Sequence, residues 1–323
     1  MRPTAVSGAN RFDLSSIMST KRVKGEIILA HPRGFCAGVR RALDIVNTAL
    51  NDLSPPIYVF NEIVHNDYVV RELRERGVKF VDNLDEIPSG SSVIFSAHGV
   101  SPQIESEAQR RELRMIDATC PLVKKIHVKA EAFQRHGDMV ILIGHQNHPE
   151  IIGTLGRSGK NAQVVETIED VANLAPLKNG QKAIWLSQTT LCRNDIEPII
   201  TALEKRFPEI TSGGGICYAT DQRQNAVKEL CKICQFILII GSSKSSNSNR
   251  LYELAVRNGV SAQLINDPSE IKSDLLPESG NIGITAGASA PEILVTKTIE
   301  FLKSAGWKKV RKLGSGEEKI SFN

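Results

Sequence analysis

The chain has 323 residues, 41% of them hydrophobic, 5% aromatic and 24% charged, with a formal net charge of +4. That length exceeds one typical core, and the composition is ordinary for a globular protein. No apolar run approaches the roughly 20 residues that span a bilayer, no signal-peptide core opens the chain, and no recognised nucleic-acid motif accompanies the weak positive charge. A cytoplasmic protein with no membrane and no nucleic-acid partner is therefore expected, its six cysteines reduced rather than paired in a disulfide framework.

Residues 1–24 are polar and irregular and are read as a flexible N-terminal tail, with Met18 as an alternative start. From there the chain repeats one plan three times. Cys36 stands directly before the helix-like AGVRRALDIV, Cys120 before PLVKKIHVKAEAF, and Cys217 before YATDQRQNAVKEL. Each helix is followed by an apolar run short enough to be a buried strand, PIYVF, DMVILIG or QFILIIG, and then by a polar loop, NEIVHN, HQNHPE or SSKSSNSNR. A second helix-like stretch follows. Next come VKFVDNLDEI, AQVVETIEDV and AQLINDPSEI, each a short strand running into an acidic turn, and last SVIFSAHGV, KAIWLSQTT and NIGITAGAS, strands ending on His98, Thr189 or Ser289.

Distances repeat as well as order: Cys36 to His65, Cys120 to His148 and Cys217 to Ser246 span 29, 28 and 29 residues. A period this long denotes duplicated units rather than a short-repeat solenoid. The expected fold is α/β, with three pseudo-symmetric lobes, each built on a small, mainly parallel sheet. Their limits are read as 25–118 around Cys36, 119–214 around Cys120 and 215–304 around Cys217, with 305–323 as a basic C-terminal tail. Ligands in such units bind beyond the carboxyl ends of the strands, where this chain places its His, Thr, Ser and Asn residues.

Three equivalent cysteines at helix N-termini point to metal ligation, since the positive helix end favours the thiolate. Structural zinc sites show short local spacings that these cysteines lack. An iron–sulfur cluster fits better, and three cysteines for four irons leave one iron open. His65, His98 and His148 lie in register around this point, and imidazole, hydroxyl and amide donors together suit a phosphate or diphosphate. Ser245, Ser246 and Asn247 crowd a helix start; one of them would suffice as a cap, whereas the group makes an anion cradle. Glu150 reads equally as a first-turn acid that supports a helix or as a proton relay beside His148. GTLGRSGKN has the wrong glycine spacing for a phosphate-binding loop, and no dinucleotide fingerprint follows a strand. Cys231 and Cys234 form a C-x-x-C at a helix end rather than its start and are read as core, as is Cys192.

The segments HPRGFCAGV, NEIVHN, SAHGVS, DATCPLV, GHxxHPE, SQTTL, ICYATxxRQ, SSNSNR and TAGASAPE, running from about Gly25 to Leu302, resemble those of the 4-hydroxy-3-methylbut-2-enyl diphosphate reductases, the IspH or LytB family. The resemblance implies a 4Fe-4S cluster held centrally by Cys36, Cys120 and Cys217. It implies that His65, His98, His148, Thr189, Ser245, Ser246, Asn247 and Ser289 hold the substrate's diphosphate and hydroxyl and that Glu150 supplies protons. The implied reaction is a reductive dehydration that closes the non-mevalonate isoprenoid pathway, with an electron donor such as ferredoxin or flavodoxin. An aconitase-like hydro-lyase, which needs no net electrons, is the nearest rival.

Overall fold

A computed structural model describes residues 24–314 and Phe322, so the expected N-terminal tail lies outside the described residues except for Lys24. In chain order the regular elements begin with β1 (Glu26–Leu29), α1 (Ala37–Asp52), β2 (Ile57–Phe60), α2 (Asp67–Glu75), β3 (Val78–Val81), β4 (Ser92–Phe95), α3 (Pro102–Arg110) and β5 (Arg114–Asp117). The middle of the chain forms α4 (Pro121–Arg135), β6 (Met139–Ile143), α5 (Pro149–Arg157), β7 (Gln163–Val165), α6 (Ile168–Asn173), β8 (Ala183–Ser187), α7 (Arg193–Arg206) and β9 (Thr211–Ser212). The last third forms α8 (Tyr218–Cys231), β10 (Phe236–Ile240), α9 (Ser246–Arg257), β11 (Ser261–Ile265), β12 (Ile282–Ala286), α10 (Glu292–Ser304) and β13 (Lys309–Lys312).

These strands make three separate parallel sheets, ordered β3-β2-β4-β5, β7-β6-β8-β9 and β11-β10-β12-β1-β13. The first three strands of each run in the same spatial order, so the repeat in the sequence is a repeat in topology. Five-residue aliphatic strands such as β6 and β10 are buried along their whole length, as a parallel sheet covered by helices on both faces requires. The three acidic turns are equivalent too. Asn83, Thr167 and Asp267 each accept a backbone N–H of the turn that follows, from Asp85, Asp170 and Ser269 at 3.1, 3.3 and 3.0 Å, satisfying donors that a helical turn leaves open. No helix among the described residues is long and apolar enough to cross a membrane.

The sheets and the lobe limits read from the sequence differ in one respect. β1 precedes the Cys36 helix, yet it pairs with β12 in register Ile27 to Ile282, and β13, inside the expected C-terminal tail, pairs with its other side. Ile27 and Ile28 are fully buried there, and burial against a partner strand more than 250 residues away leaves no local signature. Trp307, just before β13, is also fully buried; its Nε1 donates to Gly280 O at 2.9 Å and Lys24 Nζ lies 4.4 Å from the ring centroid. Trp307→Ala should cost about 3–5 kcal/mol, the usual range for emptying a buried aromatic site, read as a lowered urea midpoint.

Candidate functional site

Six strands end at one place. The loops that follow β2, β4, β6, β8, β10 and β12 carry His65, His98, His148, Thr189, Ser245 and Ser289 respectively, and the helices α1, α4 and α8 start on Cys36, Cys120 and Cys217 as N-cap residues. All of these, together with Glu150, Ser246 and Asn247, line a single cavity of about 110 Å³, at the carboxyl ends of the strands where parallel sheets bind ligands. Every site residue expected from the sequence is thus brought to one point by three different sheets.

Two features keep the thiols together. Gly38, in the first turn of α1, leaves no room for a side chain, since a Cβ there would sit 2.6 Å from Cys120 Sγ and 3.9 Å from Cys36 Sγ. Arg223 of α8, fully buried, donates from Nε and Nη2 to Gly34 O at 3.1 and 2.7 Å and from Nη1 to Ala219 O at 2.9 Å, tying the loop before Cys36 to the helix that begins at Cys217. The helix N-termini do not make Cys120 or Cys217 acidic. Burial pushes the Cys120 thiol up to about 12, and the nearby Cys36 and Cys217 sulfurs add to the shift; burial also raises Cys217, opposed by its bonds from Thr220. Desolvation of Cys120 and Cys217 outweighs the helix dipole, and it is a bound cation that would draw off their protons. Among the described residues no three His, Cys, Asp or Glu side chains are gathered so as to hold one metal ion.

The histidines face one another. His65 and His98 stack with ring centroids 4.4 Å apart at 21°, and His148 meets both edge-on at 5.9 and 5.7 Å. Burial first, then the neighbouring imidazoles, hold His98 well below the ordinary range and His148 down at about 3. Three rings this close cannot share positive charge without an anion among them. His148 Nδ1 accepts the Glu150 N–H at 3.2 Å and caps α5, which leaves Nε2 as its donor.

Glu150 is 2% exposed. Its Oε1 accepts the Thr189 N–H at 2.7 Å and its Oε2 pairs with Thr189 Oγ1 at 2.8 Å. Burial raises the carboxyl to about 7 against the lowering effect of those two bonds, so the acid is half protonated near neutrality. Neither Asn247 side-chain polar atom has a partner although the residue is 3% exposed, and a buried amide left open calls for a ligand. Ser245 Oγ caps α9 by accepting the Ser248 N–H at 3.3 Å. Ser246 Oγ is reached from Thr190 Oγ1 and Gln188 Nε2 at 2.8 and 3.0 Å; those two residues, both in the SQTT strand end, belong to the site although only Thr189 was singled out there. Cys192 and Cys234 are buried in the core, and Cys231 closes α8 away from the cavity.

Comparison with known proteins gives a consistent result. A family model described as LytB protein matches residues 27–303. The chain is 49% identical to a 4-hydroxy-3-methylbut-2-enyl diphosphate reductase of Histophilus somni, over 92% of this chain and 96% of that protein, and 47% identical to one of Acinetobacter baumannii with the same coverage. Its fold superposes on a structure of the E-1-hydroxy-2-methyl-but-2-enyl-4-diphosphate reductase from Plasmodium falciparum with a TM-score of 0.88 at 35% identity, covering 93% of this chain and 95% of that one. A second solved structure, an (E)-4-hydroxy-3-methyl-but-2-enyl diphosphate reductase, gives a TM-score of 0.64 at 31% identity over 87% of this chain and 99% of the other. The chain belongs to the LytB protein family.

Proposed function

We propose that the protein reduces (E)-4-hydroxy-3-methylbut-2-enyl diphosphate to isopentenyl and dimethylallyl diphosphates, taking up two electrons and two protons and releasing water. The observation that carries this reading is the composition of the cavity: three thiols, a set of imidazole, hydroxyl and amide donors, and a protonatable carboxyl line the same space. Cys36, Cys120 and Cys217 would hold a 4Fe-4S cluster. The fit rests on three thiols that line one cavity at helix N-termini where Gly38 leaves space. When bound, such a cluster delivers electrons singly and offers one iron without a cysteine.

The chain's own residues do the rest. His65, His98 and His148 with Ser245, Ser246 and Ser289 supply donors for the diphosphate, whose binding energy positions the allylic carbon. Asn247, with its amide unpartnered, and Thr189 face the hydroxyl end. Glu150, held by two bonds from Thr189, donates the proton that turns the hydroxyl into water, a poor leaving group otherwise. Enclosure of the carboxyl keeps about half of it protonated at neutral pH without a second acid. Electrons come from a small carrier such as ferredoxin or flavodoxin.

Anaerobic oxidation of reduced viologen by the cluster-loaded protein tests the reading. Oxidation that depends on added substrate is expected. Without it, in protein of verified iron content, the reductase reading is wrong and a hydro-lyase takes its place.

A further inference from the structure

One carboxylate stands behind the histidines without lining the cavity. Glu62 Oε2 lies 3.2 Å from His65 Nδ1, and Glu62 Oε1 accepts from Lys244 Nζ at 2.8 Å. Lys244 also reaches Asp67 Oδ1 at 3.3 Å, and Ser242 Oγ donates to Asp67 Oδ2 at 3.0 Å. Glu62 and His65 belong to the loop after β2 and Asp67 opens α2, whereas Ser242 and Lys244 belong to the loop after β10 that leads into Ser245, Ser246 and Asn247. Ser289 Oγ adds a bond to His65 O at 3.0 Å. Two sheets are therefore joined at the point where each delivers donors to the cavity.

A carboxylate this near an anion pocket opposes binding unless it does something for a donor in the pocket. We propose that Glu62 is a positioning residue for the diphosphate: it fixes His65 with Nδ1–H toward its own carboxylate and Nε2 toward the phosphate, and Lys244 locks that arrangement to the loop carrying Ser245 to Asn247. This role rests on the diphosphate reading given above and says how that ligand is held.

The hydrogen-bonding chemistry follows directly. The His65 bond, with Lys244 adding to it, holds the Glu62 carboxyl down at about 2, so Glu62 is an acceptor only and His65 Nδ1 must carry the proton. A neutral His65 would then turn a lone pair on Nε2 toward the phosphate, and only the imidazolium donates in both directions. His148 reaches the same end differently, because its Nδ1 accepts a backbone N–H and Nε2 donates without charge. The charged and titratable groups facing His65 are Glu62, His98 and His148, with Lys244 behind Glu62.

The test is calorimetric titration of inorganic diphosphate into cluster-loaded protein, beside steady-state kinetics with substrate. Glu62→Gln should weaken diphosphate by about tenfold, the worth of one charge-assisted bond, and raise KM more than it lowers kcat. Glu62→Asp should recover part of both effects, and Lys244→Met should weaken binding by about threefold. Unchanged affinity and KM in Glu62→Gln, with the unaltered protein binding diphosphate and turning over, would overturn the role while leaving the reductase reading intact. Loss of iron from Glu62→Gln would overturn it in favour of a structural part. Failure of the unaltered protein to bind diphosphate or to oxidise viologen would remove the reductase reading and this role with it.

Discussion

Glu150→Gln is expected to slow turnover by about 100-fold or more, the usual worth of a positioned proton donor, while iron content and substrate binding stay close to those of the unaltered protein. The amide has the same shape and its Oε1 still accepts the Thr189 N–H that Glu150 receives at 2.7 Å. What it lacks is a transferable proton. The pH dependence separates this role from a packing role. Burial raises the carboxyl to about 7, so the donor form predominates below pH 7 and is lost above it. With proton delivery limiting, kcat should be flat below about pH 6.5 and fall toward tenfold per unit at alkaline pH, since one proton is involved. The Gln variant should lose that slope as well as the rate. A Gln variant that turns over at the normal rate, or keeps the alkaline fall, takes Glu150 off the proton path.

The same carboxyl shows what could be read before the fold was known. In the sequence Glu150 is a first-turn acid after His-Pro, equally consistent with helix support; only its enclosure and its two bonds to Thr189 separate the readings, and both depend on β8 lying beside the start of α5. The strands β2, β6 and β10 were legible because each is a short apolar run with a helix-like stretch on either side, and their equivalence was legible because polar residues recur 28 or 29 residues after each cysteine. That recurrence located His65, His148 and Ser246 together, although no single one of them stands out. β1 and β13 were not legible. EIIL and KVRK are four residues each, β13 is exposed with two lysines and an arginine, and nothing local says that β1 joins a sheet built at the other end of the chain or that β13 pairs with β1. Edge strands rich in lysine commonly read as loops for this reason. Arg223 was missed because an arginine on an amphipathic helix ordinarily faces solvent, whereas this one is fully buried against Gly34. Glu62 left a faint signal in its three-residue spacing from His65, too common a spacing to single out alone.

Gly38→Ala is expected to lower bound iron and turnover severalfold, even though it deletes no ligand and replaces a glycine within a helix, where alanine is intrinsically favoured. Gly38 has no left-handed backbone to protect; what it provides is space. An added Cβ would lie 2.6 Å from Cys120 Sγ and 3.4 Å from Cys120 Cβ, distances at which something must move. The options are few. α1 packs through Val39, Ala42 and Val46, all buried, and α4 through Val123, Ile126 and Ala130, so neither helix can retreat without opening a core that is close-packed. The cheaper response is rotation of the Cys120 side chain out of the cavity, which removes one of three thiolates. The variant should therefore fold, with an unfolding midpoint near that of the unaltered protein, yet approach Cys120→Ser in its iron per chain and in its visible absorbance. Full iron and full turnover in Gly38→Ala would mean that Cys120 does not point where the cavity places it, and the assignment of the three cysteines to one cluster would have to be withdrawn.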